Sequence, residues 1–153
     1  LYGDALLAAN QTEPAGEQYT RALGMDSALP EALIGQAELA VRSEQEDDAL
    51  RILAQLRTAL TVRIRPPSMR ARMLVLEGRA HLQEGRSGVE AARTSLRSAT
   101  EIAAAPAEAW FWLGEALAAE NSPEARQAYE AYLERAPSGS YASRARRAVS
   151  SRR

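Results

Sequence analysis

The run Ser43-Glu44-Gln45-Glu46-Asp47-Asp48 packs four carboxylates into six residues, the density that a calcium ion demands. It lacks the central glycine and the alternating ligand spacing of a calcium loop. Acids massed at the start of a helix also complement its dipole, and that is the role assigned to them. His81 is the single histidine, and no cysteine occurs. A histidine base works on a nucleophile held beside it. No Ser or Cys pattern of that kind accompanies His81, so it is read as packing on the inward side of its helix. Glu84-Gly85-Arg86-Ser87-Gly88 has glycines but neither a preceding strand nor the Lys-Ser/Thr pair of a phosphate loop. It reads as a turn between paired helices. The expectation is a protein with no catalytic site, no cofactor and no metal.

Other clusters suit recognition better than reaction. Ala109-Trp110-Phe111-Trp112-Leu113-Gly114 holds both tryptophans and the single phenylalanine. Arg72 and Arg79 lie one or two helical turns apart. They could take one acidic side chain of a ligand by bidentate pairing, or pair with Glu38 or Glu108. The tail beyond Glu134 carries six arginines and no acid. It could dock to nucleic acid or an anionic surface. It could equally be a solubilising cap whose cations suit the C-terminal end of a helix. No interleaved aromatics are there to stack bases, which favours the cap.

These residues have to be positioned by helices. The chain is 46% hydrophobic and 25% charged with only 5% aromatic residues. Ala and Leu dominate, a composition that favours helix throughout. The net charge of −1 provides no field to draw in nucleic acid or an anionic membrane. All 19 basic residues are Arg, an association with GC-rich bacterial genomes. No apolar run reaches the ~20 residues of a membrane span. The expected setting is soluble, in a bacterial cytoplasm or periplasm. The start at Leu1 without Met suggests a piece of a longer protein.

Apolar residues recur at i, i+3, i+4 and i+7 between regular breaks. Pro30, Pro66, Pro67, Pro106 and Pro137 fall at the breaks. Thr12, Ser43, Ser87 and Ser122 stand where a hydroxyl can cap a helix start. Ser43 with Glu46 and Ser87 with Glu90 have capping-box spacing. The reading is nine helices, over roughly 1–10, 13–26, 30–42, 46–63, 68–84, 88–104, 107–120, 123–135 and 139–151. Short loops force neighbours to run antiparallel.

The pairs repeat. Four times a small or apolar triplet recurs at spacing four then three: Ala15–Tyr19–Ala22, Ala49–Leu53–Leu56, Ala92–Leu96–Ala99 and Ala125–Tyr129–Tyr132. A small residue precedes each on the partner helix: Gly3, Ala37, Gly78 and Gly114. Leu33, Leu74 and Trp110 stand four residues before the last three. Helices approach to ~8 Å only where the contact residues are small, and a large neighbour fills the groove beside them.

This pattern resembles the tetratricopeptide repeat, a helix–turn–helix unit of ~34 residues. Trp110, Leu113, Gly114, Ala125, Tyr129 and Pro137 follow its series, one residue short overall. The second unit keeps Ala37, Ala49 and Leu53. The third keeps Gly78, with Glu77 in place of the usual Leu and a longer connection. The first begins almost at Gly3. The resemblance implies an all-α, right-handed α-solenoid of antiparallel helix pairs over 1–153. Its units would be roughly 1–27, 30–65, 68–105 and 106–137, with 138–153 as capping helix. Tyr141, Ala145, Ala148 and Val149 would face inward there, with Arg144 and Arg147 in water.

The resemblance also implies function: a concave groove that binds a peptide or helix of another protein. At ~100° per residue, Trp110, Leu113, Gly114 and Leu117 share the face crossing the partner helix, so Trp110 is expected in the core. The groove is then expected to be lined by Glu31, Ile34, Glu38 and Arg42, by Arg72, Val75, Arg79 and Gln83, and by Glu108, Phe111 and Glu115, with Trp112 on the rim. Lys is absent, and Glu38 and Glu115 occupy the matching faces, which argues against the carboxylate clamp of some family members. Two alternatives stand beside this reading. One is a helical-repeat nucleic-acid binder, disfavoured by the acids and the near-neutral charge. The other is a regulatory or spacer segment of a larger enzyme.

Overall fold

The computed structural model describes residues 2–62 and 66–151. Expectations that touch Leu1, residues 63–65 or Arg152 and Arg153 lie outside the described residues. Within them the chain is all-α, with nine α-helices and no strand. The helices fall into two compact units, Leu1–Pro66 and Pro67–Arg153.

The first unit holds α1 (Tyr2–Ala8), α2 (Thr12–Met25), α3 (Pro30–Arg42) and α4 (Glu46–Val62). Each helix packs on the next in sequence, and α1 also meets α3. Pro30 opens α3 at its first turn, where its missing N–H is no loss. Tyr19 of α2 is fully buried between two glycines: a Cβ at Gly3 of α1 would fall 2.6 Å from its ring, and one at Gly35 of α3 2.3 Å away. Its hydroxyl donates to Asp4 Oδ1 at 2.8 Å, so a buried phenol reaches an acceptor at the edge of the core. Gly3 is an expected crossing residue. Gly35, which admits the ring from the other side, escaped the repeat pattern.

The second unit holds α5 (Pro67–Gln83), a single 3-10 turn (Gly85–Ser87), α6 (Val89–Thr100), α7 (Glu108–Ala119), α8 (Glu124–Arg135) and α9 (Ala142–Ser151). Here α5 packs on α6, α6 on α7, α7 on α8 and α8 on α9, with α5 also meeting α7. The repeated triplets lie inside: all but Ala22 are buried. A Cβ at Gly78 would meet Leu96 at 2.3 Å, and one at Gly114 would meet the Tyr129 ring at 2.7 Å. Both are crossing residues of their pairs. The extra length of the α5–α6 connection is taken up by the 3-10 turn, with Gly85 at φ 70°.

The helix starts differ from expectation. Ser43 closes α3 rather than opening α4; its N–H donates to Leu39 and Ala40 carbonyls. The Ser87 hydroxyl donates to the Glu84 carbonyl. Neither capping box forms among the described residues. Ser122 does accept a hydrogen bond, from the Glu124 N–H at 3.3 Å. Order in three of the turns comes instead from the preceding helix end. Asn10, Glu44 and Asn121 adopt φ of 60°, 55° and 57°. The next residue's N–H then reaches back to the carbonyl of Leu6, Ala40 and Leu117, at 2.8, 2.9 and 2.9 Å. This is a Schellman closure, repeated three times.

Asn tolerates the left-handed region; Glu does so at a cost. Glu44→Gly is therefore expected to stabilise the chain by about 0.5–1 kcal/mol. A urea midpoint that falls instead would remove the left-handed turn from this account.

The last helix begins at Ala142, three residues later than read. The Tyr141 N–H donates to the Tyr132 hydroxyl at 3.0 Å, and the Gly139 N–H to the Ala136 carbonyl at 3.1 Å, so a turn intervenes. Ala142 and Ala145 are buried; Tyr141, Ala148 and Val149 are half-buried.

Candidate functional site

Residues that looked chemical in sequence have structural partners. His81 Nδ1 lies 3.0 Å from Glu84 Oε2, three residues away. Asp48 pairs with Arg51 on the exposed face of α4 at 2.8 Å. Among the described residues no group of three or more His, Asp or Glu is placed to hold a metal. No helix of the described residues is long and apolar enough to cross a membrane.

The aromatic hexamer resolves differently from its reading. Phe111, expected in the groove, is fully buried. Its ring stacks on Tyr141 at 4.3 Å with 8° between planes, and meets Tyr129 at 5.9 Å and Tyr132 at 5.6 Å. Trp110, expected in the core, is only half-buried, with the Arg135 guanidinium 4.0 Å over its ring. Ile34 and Val75 are likewise buried, at 1% exposure each. All three apolar residues assigned to the groove are thus core. The physical reason is that a helix in a stack is covered on two flanks, one by its partner and one by the next helix along. The 3.6 period marks both flanks as apolar alike.

The remaining assigned residues are polar, apart from Trp112. In the first unit Glu38 pairs with Arg42 along α3 at 3.0 Å, and Glu31 is half-buried. In the second, Arg72 is exposed on α5 and Glu108 half-buried in the first turn of α7. The other four, Arg79, Gln83, Trp112 and Glu115, line one open cleft of about 350 Å³. Leu82, Ala119 and Arg144 complete its lining. Three non-consecutive helices, α5, α7 and α9, supply its walls.

Sequence reasoning missed Arg144, which it had placed in water on a cap. That side chain is 56% exposed, yet its Nη2 donates to Glu115 Oε2. Tyr129 donates to Glu115 Oε1 at 2.8 Å. Glu115 therefore ties α8 and α9 to α7 at the cleft. The Arg79 guanidinium lies 5.1 Å from the Trp112 ring centroid, within cation–π range. A second hollow, in the first unit, is lined by Leu23, Leu33 and Ala59 among others and carries no charged side chain. Of these two hollows, the cleft joins an aromatic surface to charged groups, the combination that orients a ligand.

The chain is similar to two solved structures of MamA. The likeness has TM-scores of 0.70 and 0.69 at 20% identity, over 96% of this chain and 80% and 74% of those chains. It supports a tetratricopeptide-like helical-repeat fold. No family model matches the chain, and no curated protein does.

Proposed function

We propose that this chain is a non-enzymatic helical-repeat interaction module that receives a peptide or helix of another protein. Its units are the four read from the repeat, roughly 1–27, 30–65, 68–105 and 106–137, with 138–153 as cap. The receiving surface is the α5–α7–α9 cleft rather than the apolar strip through Phe111. The observation that carries this is the make-up of the cleft. A preformed hollow with one indole, aliphatic Leu82 and several fixed polar groups is how interaction surfaces anchor a chain.

The test is a photo-crosslinking benzophenone amino acid placed at Gln83, which is exposed beside the cleft, and at exposed Gln127 of α8 as control. In native cells a discrete protein adduct is expected at position 83 and not at 127. Equal adducts at both positions, or none at 83, would remove the cleft as the binding surface.

A further inference from the structure

The inference rests on the cleft being the binding surface and concerns what it selects. Its charged groups are two arginines and one carboxylate, Arg79, Arg144 and Glu115. The carboxylate faces inward, with 18% of its side chain exposed, and both of its oxygens are engaged by the protein itself. An ionised carboxylate only accepts hydrogen bonds, and this one is already met by Tyr129 and Arg144. It has little to offer an incoming Lys or amide.

The guanidinium groups are different. Each carries five N–H donors in a rigid fork, so one partner does not exhaust them. Arg144 gives Nη2 to Glu115 and keeps more than half of its side chain in water. The Arg79 guanidinium lies within cation–π range of the Trp112 ring, 5.1 Å from its centroid. The lining thus sets two guanidinium groups against one engaged carboxylate and the Gln83 amide, and its charged side chains sum to one positive charge. Apolar surface from Trp112 and Leu82 lies beside that charge.

We propose that the cleft selects an acidic segment. An Asp or Glu side chain of the ligand docks on the solvent edge of Arg144, and an adjacent apolar side chain packs on Trp112 and Leu82. Charge-assisted pairing of a guanidinium with a carboxylate is among the stronger polar contacts. Half exposure reduces its effect to about two- to fivefold in affinity.

The experiment is selection of random 12-residue peptides against the whole chain, then titration of one enriched sequence by fluorescence polarisation. The enriched pool is expected to be rich in Asp and Glu next to Leu, Phe or Trp. Arg144→Gln, on an exposed side chain, should weaken the chosen peptide about two- to fivefold. Glu115→Gln should tighten it by a similar factor. The amide oxygen can still accept from Tyr129, while the charge that competes for Arg144 is gone. Opposite signs from two touching residues are not what loss of structure produces. Circular dichroism melts confirm that both variants remain folded.

A pool without acid enrichment would overturn the selection and leave the cleft as a binding surface. An acid-rich pool that both variants weaken alike would place the acid elsewhere and overturn it too. No enriched peptide at all would remove both the selection and the reading beneath it. A labelled 20-nucleotide single-stranded RNA bound more tightly than the peptide would replace the acidic segment with nucleic acid.

Discussion

Phe111→Ala is expected to destabilise the chain by roughly 3–5 kcal/mol, the range for truncating a buried large aromatic. Trp110→Ala, three heavy atoms richer but half in solvent, should cost less than half as much. The ranking follows from what each ring touches. Phe111 has no exposed surface and four aromatic neighbours, Trp112, Tyr129, Tyr132 and Tyr141. Each aromatic pair adds about 0.5–1.5 kcal/mol beyond area. Trp110 is covered by the Arg135 side chain, whose guanidinium lies 4.0 Å over its ring and also donates to the Ala131 carbonyl. The loss at Phe111 should also travel. Tyr141 stacks on it at the threshold of α9, and the Arg144 guanidinium lies 5.5 Å from its ring. A residue that does not line the cleft should therefore loosen one of its walls. Urea titration followed by circular dichroism measures the first effect, and proteolysis at the C-terminal helix the second. Equal losses at positions 110 and 111 would mean the rings share one environment.

That reversal marks the limit of what periodicity conveys. Element boundaries came close because Pro30, Pro67 and Pro123 and the small crossing residues act locally. A proline halts or opens a helix wherever the chain later packs. The crossing residues were legible for a related reason. Gly78 and Gly114 sit opposite Leu96 and Tyr129 in helices joined by a short connection, so the contact is nearly local. The Gly35–Tyr19 contact was not legible, because it links one pair to the next and no spacing inside a single unit encodes it. The three apolar residues assigned to the groove proved buried for the same kind of reason. Positions 34, 75 and 111 follow directly after 33, 74 and 110, and the ~100° step between neighbours on a helix reads as core then groove. In a stack Ile34, Val75 and Phe111 are core along with Leu33 and Leu74, while Trp110 is half-buried. The open cleft beside them is lined by the polar Arg79, Gln83 and Glu115. Trp112 is its aromatic member. Arg144 was not legible, because its contact with Glu115 links α9 to α7 across α8 and no spacing within a unit encodes it.

Gly114→Ala is expected to destabilise by about 1–3 kcal/mol, although Ala is the better helix former by about 1 kcal/mol. The added methyl would stand 2.7 Å from Cε1 of Tyr129, closer than carbon atoms can pack. Whether the cost is large depends on whether that ring can move. It is held at both ends. Its hydroxyl donates to Glu115 Oε1 at 2.8 Å, and its face packs on Phe111 at 5.9 Å. Shifting it would break the hydrogen bond that ties α8 to α7 and disturb the rings beneath α9. The control is Gly16→Ala in the interior of α2. There the new methyl would meet Leu39 Cδ1 at 3.4 Å, an ordinary contact. Propensity should dominate, giving about 0.5–1 kcal/mol of added stability. The same substitution thus carries opposite signs at two helical glycines, and the difference is set by a rigid tyrosine in one case and the end of a leucine in the other. Thermal melts of the two variants side by side measure it. If both rise, Tyr129 yields more easily than its two restraints allow, and the close crossing of α7 and α8 is not what holds Gly114 in place.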